Sequence, residues 1–387
     1  MPSPARSAAV LLLAYVAFVS LGLPDTVLGV AWPSLRATFG LPQAAMGAVL
    51  AAAMTGYVAS GVVAGRMSAA LGVGGLLALS TALVSAGLVG FALAPAWPIF
   101  VACGVVVGLG SGAIDAALNG YAAAHFPARH MNWLHACYSA GAMLGPAIMT
   151  GALAGASYRA GYAALALALA AMAGAFYLTR RRWDARRGGL ESAAPVSAGA
   201  ALRDARVWLQ IAIFFAYTGL EAASGQWAFT VLRQARGLSI EAAGTWTSVY
   251  WGSIAAGRLA VGFAAGRLGA DLLVRCGIIG ASLGALAYAV LPGAAGAAGL
   301  VLLGVSLAPV FPMLMSATPE RLGAAIAAHA VGFQVAAATV GTVVWPTACG
   351  VLADGYGARA IPPALVGLSA ALAALVLALQ RGAPARA

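Results

Sequence analysis

Residues 158–182 read YRAGYAALALALAAMAGAFYLTRRR. From Ala160 to Thr179 no side chain is charged, and the run stops at Arg180-Arg181-Arg182. About 20 apolar residues are what an α-helix needs to cross the hydrocarbon core of a bilayer, and arginines collect on the cytoplasmic side. Comparable apolar runs precede this one at approximately 8–32, 44–65, 70–94, 97–124 and 131–154. Six more follow at 206–228, 242–264, 272–292, 294–316, 324–351 and 361–380. The reading is an all-α integral membrane chain with twelve transmembrane helices. Membrane β-strands would alternate over about ten residues, and no such alternation is visible.

Composition agrees. Of 387 residues, 62% are hydrophobic and only 8% charged, with a mean hydropathy of +0.93. Soluble domains carry about 25% charged residues, so a water-exposed globular enzyme is excluded. The first run follows Arg6 and resembles a signal peptide, but it is too long and lacks a small-residue cleavage site, so it reads as the first spanning helix.

The net charge is +11, and every basic residue is arginine. A nucleic-acid partner would need a basic face on a folded domain. Here the arginines fall in short gaps between apolar runs. With the N-terminus inside, fifteen lie on the cytoplasmic side, five (Arg36, Arg159, Arg233, Arg236 and Arg359) outside, and Arg258 within a run. This bias places both termini in the cytoplasm. The four cysteines, Cys103, Cys137, Cys276 and Cys349, sit inside apolar runs and read as small buried fillers.

The long hydrophilic stretch between Arg180 and Arg206 separates six runs from six. It gives an N-terminal bundle over 1–179, a cytoplasmic linker over 180–205 rich in Arg, Gly, Ser and Pro, and a C-terminal bundle over 206–387. Gly56…Gly61…Gly65-Arg66 recurs at Gly257…Gly262…Gly266-Arg267 with a constant offset of 201 residues. Two parallel, pseudo-symmetric six-helix halves are the plan of a secondary transporter.

Seven of the ten acidic residues lie in loops or near the ends of runs; Asp25, Asp115 and Glu221 do not. A charge at the bilayer centre costs about 2.5–3.5 kcal/mol on insertion scales. Each carboxyl must therefore face a wet cavity, pair with donors or bind a proton; the plainer alternative is a protonated group that fastens neighbouring helices. Pro24 precedes Asp25 and frees backbone carbonyls to line a cavity. Asn119 lies one turn beyond Asp115 on the same face, a pairing that can hold a cation and a hydroxylated solute or simply join two helices.

In the segment FFAYTGLEAASGQW (214–227), Tyr217, Glu221 and Ser224 share a face, with Gln226 and Trp227 just beyond. An aromatic plate beside hydrogen-bonding groups suits a sugar ring. His329, Phe333 and Gln334 join this set of candidate cargo contacts from the run 324–351. Trp246, Tyr250 and Trp251, early in their run, read as an interfacial aromatic belt. His135, one turn before Tyr138, is a candidate proton relay because imidazole titrates near neutrality, or else a fixed interhelical hydrogen bond. Arg258 reads as snorkelling to the headgroups. No GxxxxGK[ST], HExxH or CxxC motif is present, so no cofactor, metal site or nucleotide-driven pump is expected.

Together these residues resemble the major facilitator superfamily over nearly the whole chain, and within it the fucose permease-like and glucose transporter-like branch. Gly22-Leu-Pro-Asp25, the glycine-rich stretch ending in Asp115…Asn119, and Tyr217-Thr-Gly-Leu-Glu221…Trp227 carry the likeness. In that branch acidic residues matching Asp25 and Asp115 are implicated in proton coupling and sugar binding. Two features depart from the superfamily pattern or blur it. Glycine (Gly65) stands before Arg66 where the loop usually has aspartate, and Gly141-Ala-Met-Leu-Gly145-Pro146 looks like an antiporter motif that uptake proteins also carry.

The resemblance implies alternating access in the inner membrane by a monomer, moving a small polar solute such as a sugar with a coupling ion, a proton before sodium. Asp115 is the first choice of proton carrier and Asp25 the second. The alternative is a proton-driven exporter of drugs or amphipathic metabolites.

Overall fold

The computed structural model describes residues 4–126, 128–183 and 198–381, and every regular element among them is helical. In chain order these are α1 (Pro4–Asp25), α2 (Val27–Phe39), α3 (Met46–Leu93), α4 (Trp97–His125), α5 (Ala128–Gly155), α6 (Tyr158–Thr179), α7 (Ala198–Ala201) and α8 (Ala205–Thr230). They continue with α9 (Ile240–Leu268), α10 (Ala270–Val290), α11 (Gly293–Leu307), α12 (Val310–Ser316), α13 (Thr318–Leu322), α14 (Ala324–Tyr356) and α15 (Ile361–Arg381). Ten helical stretches among the described residues are long and apolar enough to cross a membrane. Residues 184–197 of the expected linker lie outside the described residues.

Local chemistry explains where helices break. The first apolar run is not one straight helix: α1 stops at Asp25 and α2 starts at Val27, because Pro24 lacks the N–H that would continue the ladder. Residues 66–69, read as a gap between two runs, contain neither proline nor glycine, and the helix continues through them. It is interrupted only at Gly72, whose φ of +70° is open to glycine. The run 294–316 divides where Pro309 follows Ala308. Helix α9 is not among the ten apolar stretches, since Thr245, Thr247, Ser248, Ser253 and Arg258 dilute it. Gly40 at φ +65° ends α2, and the Ser157 hydroxyl caps α6 by accepting from the Ala160 N–H.

Packing divides the chain into two compact units. One is Met1–Gly189 with Ser239–Gly252; the other is Leu190–Leu238 with Ser253–Ala387. The same internal pairings occur in both. In the first unit α1 packs on α5, and α3 on α4 and α6; in the second α8 packs on α14, and α10 on α11 and α15.

Helices in lipid gain little from the hydrophobic effect against one another, so small residues that admit close backbone approach set these pairs. A Cβ at Gly22 would lie 2.0 Å from the Tyr138 carbonyl oxygen, and one at Gly141 2.3 Å from that of Val19, which fixes α1 against α5. Gly108 and Gly112 meet the carbonyl oxygens of Ala53 and Tyr57 at 1.9 and 2.2 Å in the same sense, which fixes α3 against α4. In the second unit Gly341 meets the Phe215 carbonyl oxygen at 2.4 Å, and Gly219 meets Trp345.

Candidate functional site

In the first unit these glycine contacts set two carboxyls opposite tyrosines. With α1 seated on α5, the Tyr138 hydroxyl donates to Asp25 Oδ2 at 2.8 Å. The next residue, Thr26, donates to the Ala142 carbonyl at 2.7 Å and pins the broken helix in place. Asp25 is the single exposed residue between Ser20 and Trp32, all of whose other members are buried. The break therefore opens a polar face in an otherwise packed helix.

With α3 seated on α4, Tyr57 Oη donates to Asp115 Oδ2 at 2.6 Å. Asn119 Nδ2 donates to Asp115 Oδ1 at 2.8 Å, as its one-turn spacing requires, and to the Asp115 carbonyl at 3.0 Å. Two carboxyls of the first unit thus each meet a tyrosine hydroxyl, Asp25 across α1 and α5 and Asp115 across α3 and α4, with Asn119 as a further donor to Asp115.

The second unit treats its carboxyl differently. Tyr217 donates a hydrogen bond to Glu221 Oε2, one turn away on α8. Arg258 Nη2 of α9 stands 3.6 Å from Glu221 Oε1, and the two side chains are only 18% and 16% exposed. Arg258 thus does not extend to the headgroups as the sequence reading had it. It is turned inward onto a carboxylate that would otherwise carry an unshared charge at lipid depth.

The other candidates are placed as follows. Trp227 is fully buried and its indole N–H donates to the Pro346 carbonyl at 2.8 Å, so it serves the α8–α14 contact. Gln334 is 1% exposed; its amide meets Gln210, and donates to Thr318 Oγ1 at 3.0 Å, in a closed cluster of α8, α13 and α14. Gln226 is buried and His329 half-buried. His135 is exposed and sets its ring edge-on to Phe18 at 5.4 Å.

Tyr250 and Trp251 are buried, ring against ring at 5.2 Å. Their place in protein packing replaces the expected lipid-facing belt. Cys349 is buried but Cys276 is exposed, so the cysteines are not uniformly internal. Among the described residues no group of three His, Cys, Asp or Glu side chains could hold a metal ion.

Sequence reasoning assigned no partner role to Tyr57, Tyr138 or Arg258. One signal was available for two of them. Tyr57 and Arg258 each directly follow the first glycine of the repeated pattern, Gly56 and Gly257. Those glycines also pack alike: a Cβ at Gly56 would lie 2.2 Å from the Val105 carbonyl oxygen, and one at Gly257 2.8 Å from that of Val305.

Comparison with known proteins follows the geometry. The sequence profile described as Major Facilitator Superfamily matches residues 14–346. The chain belongs to the major facilitator superfamily. No curated protein matches it in sequence. Among solved structures, the nucleoside transporter NupG is 17% identical, with a TM-score of 0.73 over 97% of this chain and 99% of that one. A bacterial homologue of the human lysosomal transporter Spinster is 14% identical, with a TM-score of 0.79 over 98% of each chain. The fucose:proton symporter FucP of E. coli is 17% identical, with a TM-score of 0.64 over 96% of this chain and 99% of that one.

At these identities the likeness is one of fold. Within the superfamily pattern, glycine replaces the usual loop aspartate before Arg66. In the second unit Asp271, at the start of α10, accepts from Arg321 at 2.7 Å.

Proposed function

We propose that this superfamily member is a proton-coupled symporter of a small hydroxylated solute, a sugar or a related metabolite such as a nucleoside. The observation that carries the reading is the Tyr57–Asp115–Asn119 cluster, with the Tyr138–Asp25 pair in the same unit. A carboxylate charge at lipid depth is costly, and a bound proton removes that cost. Neutral hydroxyl and amide donors orient the carboxyls while leaving that proton exchangeable. Asp115 carries it, Asp25 shares it and faces the cargo, and Asn119 supplies a cargo contact.

In the second unit Tyr217 and Glu221, oriented by Arg258, give the cargo fixed polar contacts. Trp227 and Gln334, whose donor groups are engaged in packing, support those helices instead. The symporter named among the structural neighbours fits the reading by analogy of fold.

The architecture we infer is twelve spans in two six-helix halves. Gly72 divides the long α3 into two spans, and α9 is a polar span of its own. Both termini face the cytoplasm, from the arginine bias, and the membrane is the cell inner membrane. One chain suffices for alternating access.

The test is proteoliposomes with a pH-sensitive dye in the lumen and an outside-acid gradient, challenged with a panel of sugars and nucleosides. A solute-dependent acidification of the lumen is expected. Solute entry without proton movement contradicts the coupling, and proton entry that drives solute outward would establish the exporter instead.

A further inference from the structure

On the second unit, α10 and α15 leave a groove of about 630 Å³ between them. Its walls are apolar: Leu283 and Leu286 rise on α10 and Leu377 on α15, while Ala373 contributes almost no bulk, so a furrow runs where a ridge would otherwise pack. Leu283, Leu286 and Leu377 are 56%, 47% and 49% exposed.

The two helices run antiparallel. The start of α10 meets the end of α15, where Arg275 Nε donates to Gln380 Oε1 at 2.8 Å and Arg381 stands beside it. Both arginines are exposed. Asp271, at the start of α10, is paired with Arg321 at 2.7 Å. The furrow is thus apolar along its length and cationic at one end. From Arg275 to Leu286 a helix rises roughly 16 Å, close to the ~15 Å depth of one leaflet's hydrocarbon.

We propose that this groove is a binding site for an anionic phospholipid of the leaflet that holds the C-terminus. One acyl chain lies along Leu283, Leu286, Ala373 and Leu377, and the phosphodiester is held by Arg275 and Arg381. Arg275 reaches the headgroup level because its apolar stem lies along the groove and its guanidinium is aimed by Gln380. The alanine gives the chain room, and the two guanidiniums select an anionic head over a zwitterionic one. The site needs only that the chain spans a membrane and is independent of the coupling mechanism above.

The experiment uses the full chain, purified and delipidated in dodecyl maltoside, with thermal unfolding followed by tryptophan fluorescence during titration with phosphatidylglycerol. Phosphatidylglycerol is expected to raise the unfolding temperature, while phosphatidylcholine of the same chains, and soluble glycerophosphate, leave it unmoved. R275A/R381A is expected to weaken the apparent affinity about thirty-fold, at about tenfold per 1.4 kcal/mol and roughly 1 kcal/mol for each arginine. A373W, which fills the groove and leaves both arginines, is expected to remove the response as well. The remote pair R66A/R267A is expected to behave as the unaltered chain.

Equal shifts with both phospholipids, or a phosphatidylglycerol response retained by R275A/R381A, overturn the headgroup assignment. A response retained by A373W overturns the acyl-chain assignment. A shift with glycerophosphate equal to that with the lipid overturns the lipid itself as the ligand.

Discussion

The α1–α5 pair of the first unit and the α8–α14 pair of the second are built on the same contacts and charged differently. Gly141 rests on the Val19 carbonyl as Gly341 rests on that of Phe215. Gly22 abuts the Tyr138 carbonyl, and at the corresponding place Thr218 donates to the Ala338 carbonyl at 2.7 Å. Counting along each helix from these anchors, Asp25 and Glu221 occupy the same position. So do Tyr57 and Arg258, each after its repeat glycine.

In the first unit the donor at that position is a neutral phenol, bound to Asp115. In the second it is a guanidinium, beside Glu221. One scaffold thus offers two solutions to a carboxyl at lipid depth. A fixed cation compensates the charge permanently, whereas a phenol orients the carboxyl and leaves its charge to a proton. The proposed function places proton traffic in the first unit and fixed polarity in the second.

The sharpest way to break this contrast is to make the first unit like the second. In Y57R the new guanidinium pairs with Asp115, as Arg258 pairs with Glu221. Proton-driven accumulation in proteoliposomes is expected to fall to that of empty vesicles. Accumulation close to that of the unaltered chain would erase the distinction.

E221Q attacks the other side by leaving the Arg258 charge without its carboxylate. Removing one partner of a buried pair costs about 3 kcal/mol. A clear drop in unfolding temperature is expected, largely restored in E221Q/R258Q.

Smaller effects follow from the neutral donors. Y138F removes one hydrogen bond to Asp25 and is expected to cost about 1–2 kcal/mol at neutral pH. Its unfolding temperature should lie between those of the unaltered chain and E221Q.

The smallest effect lies outside the spanning segments, at Asp204, which caps α8 by accepting from the Arg206 N–H at 2.8 Å. Hydrogen bonds from the Arg206 side chain hold the Asp204 carboxyl below the usual carboxylate range. Its contribution is therefore present at neutral pH and lost as pH falls from about 4 toward that lowered value. D204A is expected to cost under about 1 kcal/mol at pH 7 and less still at pH 3, read from unfolding temperatures at the two pH values.

Much of this was legible in the sequence because a membrane simplifies the pattern. Against a nearly uncharged background, Asp25, Asp115 and Glu221 identify themselves by cost alone, and Asn119 follows from helical spacing. Their partners do not. Tyr138 reaches Asp25 from 113 residues away and Tyr57 reaches Asp115 from 58, and nothing in a run of alanine, glycine and leucine states which faces meet.

The small residues were the available clue, since Gly22, Gly141 and Gly56 mark where backbones touch. Trp227 shows the limit in the other direction. Its place beside Gln226 suggested a stacking plate, yet a tryptophan N–H can be claimed by a carbonyl 119 residues further on. Arg258 was misread because distance from a helix end says nothing about a carboxylate on the neighbouring helix.

The most direct test of the division of labour is D115N in proteoliposomes, once a transported solute is known, measured both by counterflow of labelled solute at equal pH and by accumulation under an outside-acid gradient. The account predicts that exchange survives while gradient-driven accumulation disappears. Accumulation that persists with exchange intact would place the coupling proton elsewhere in the chain and contradict the assignment to the first unit.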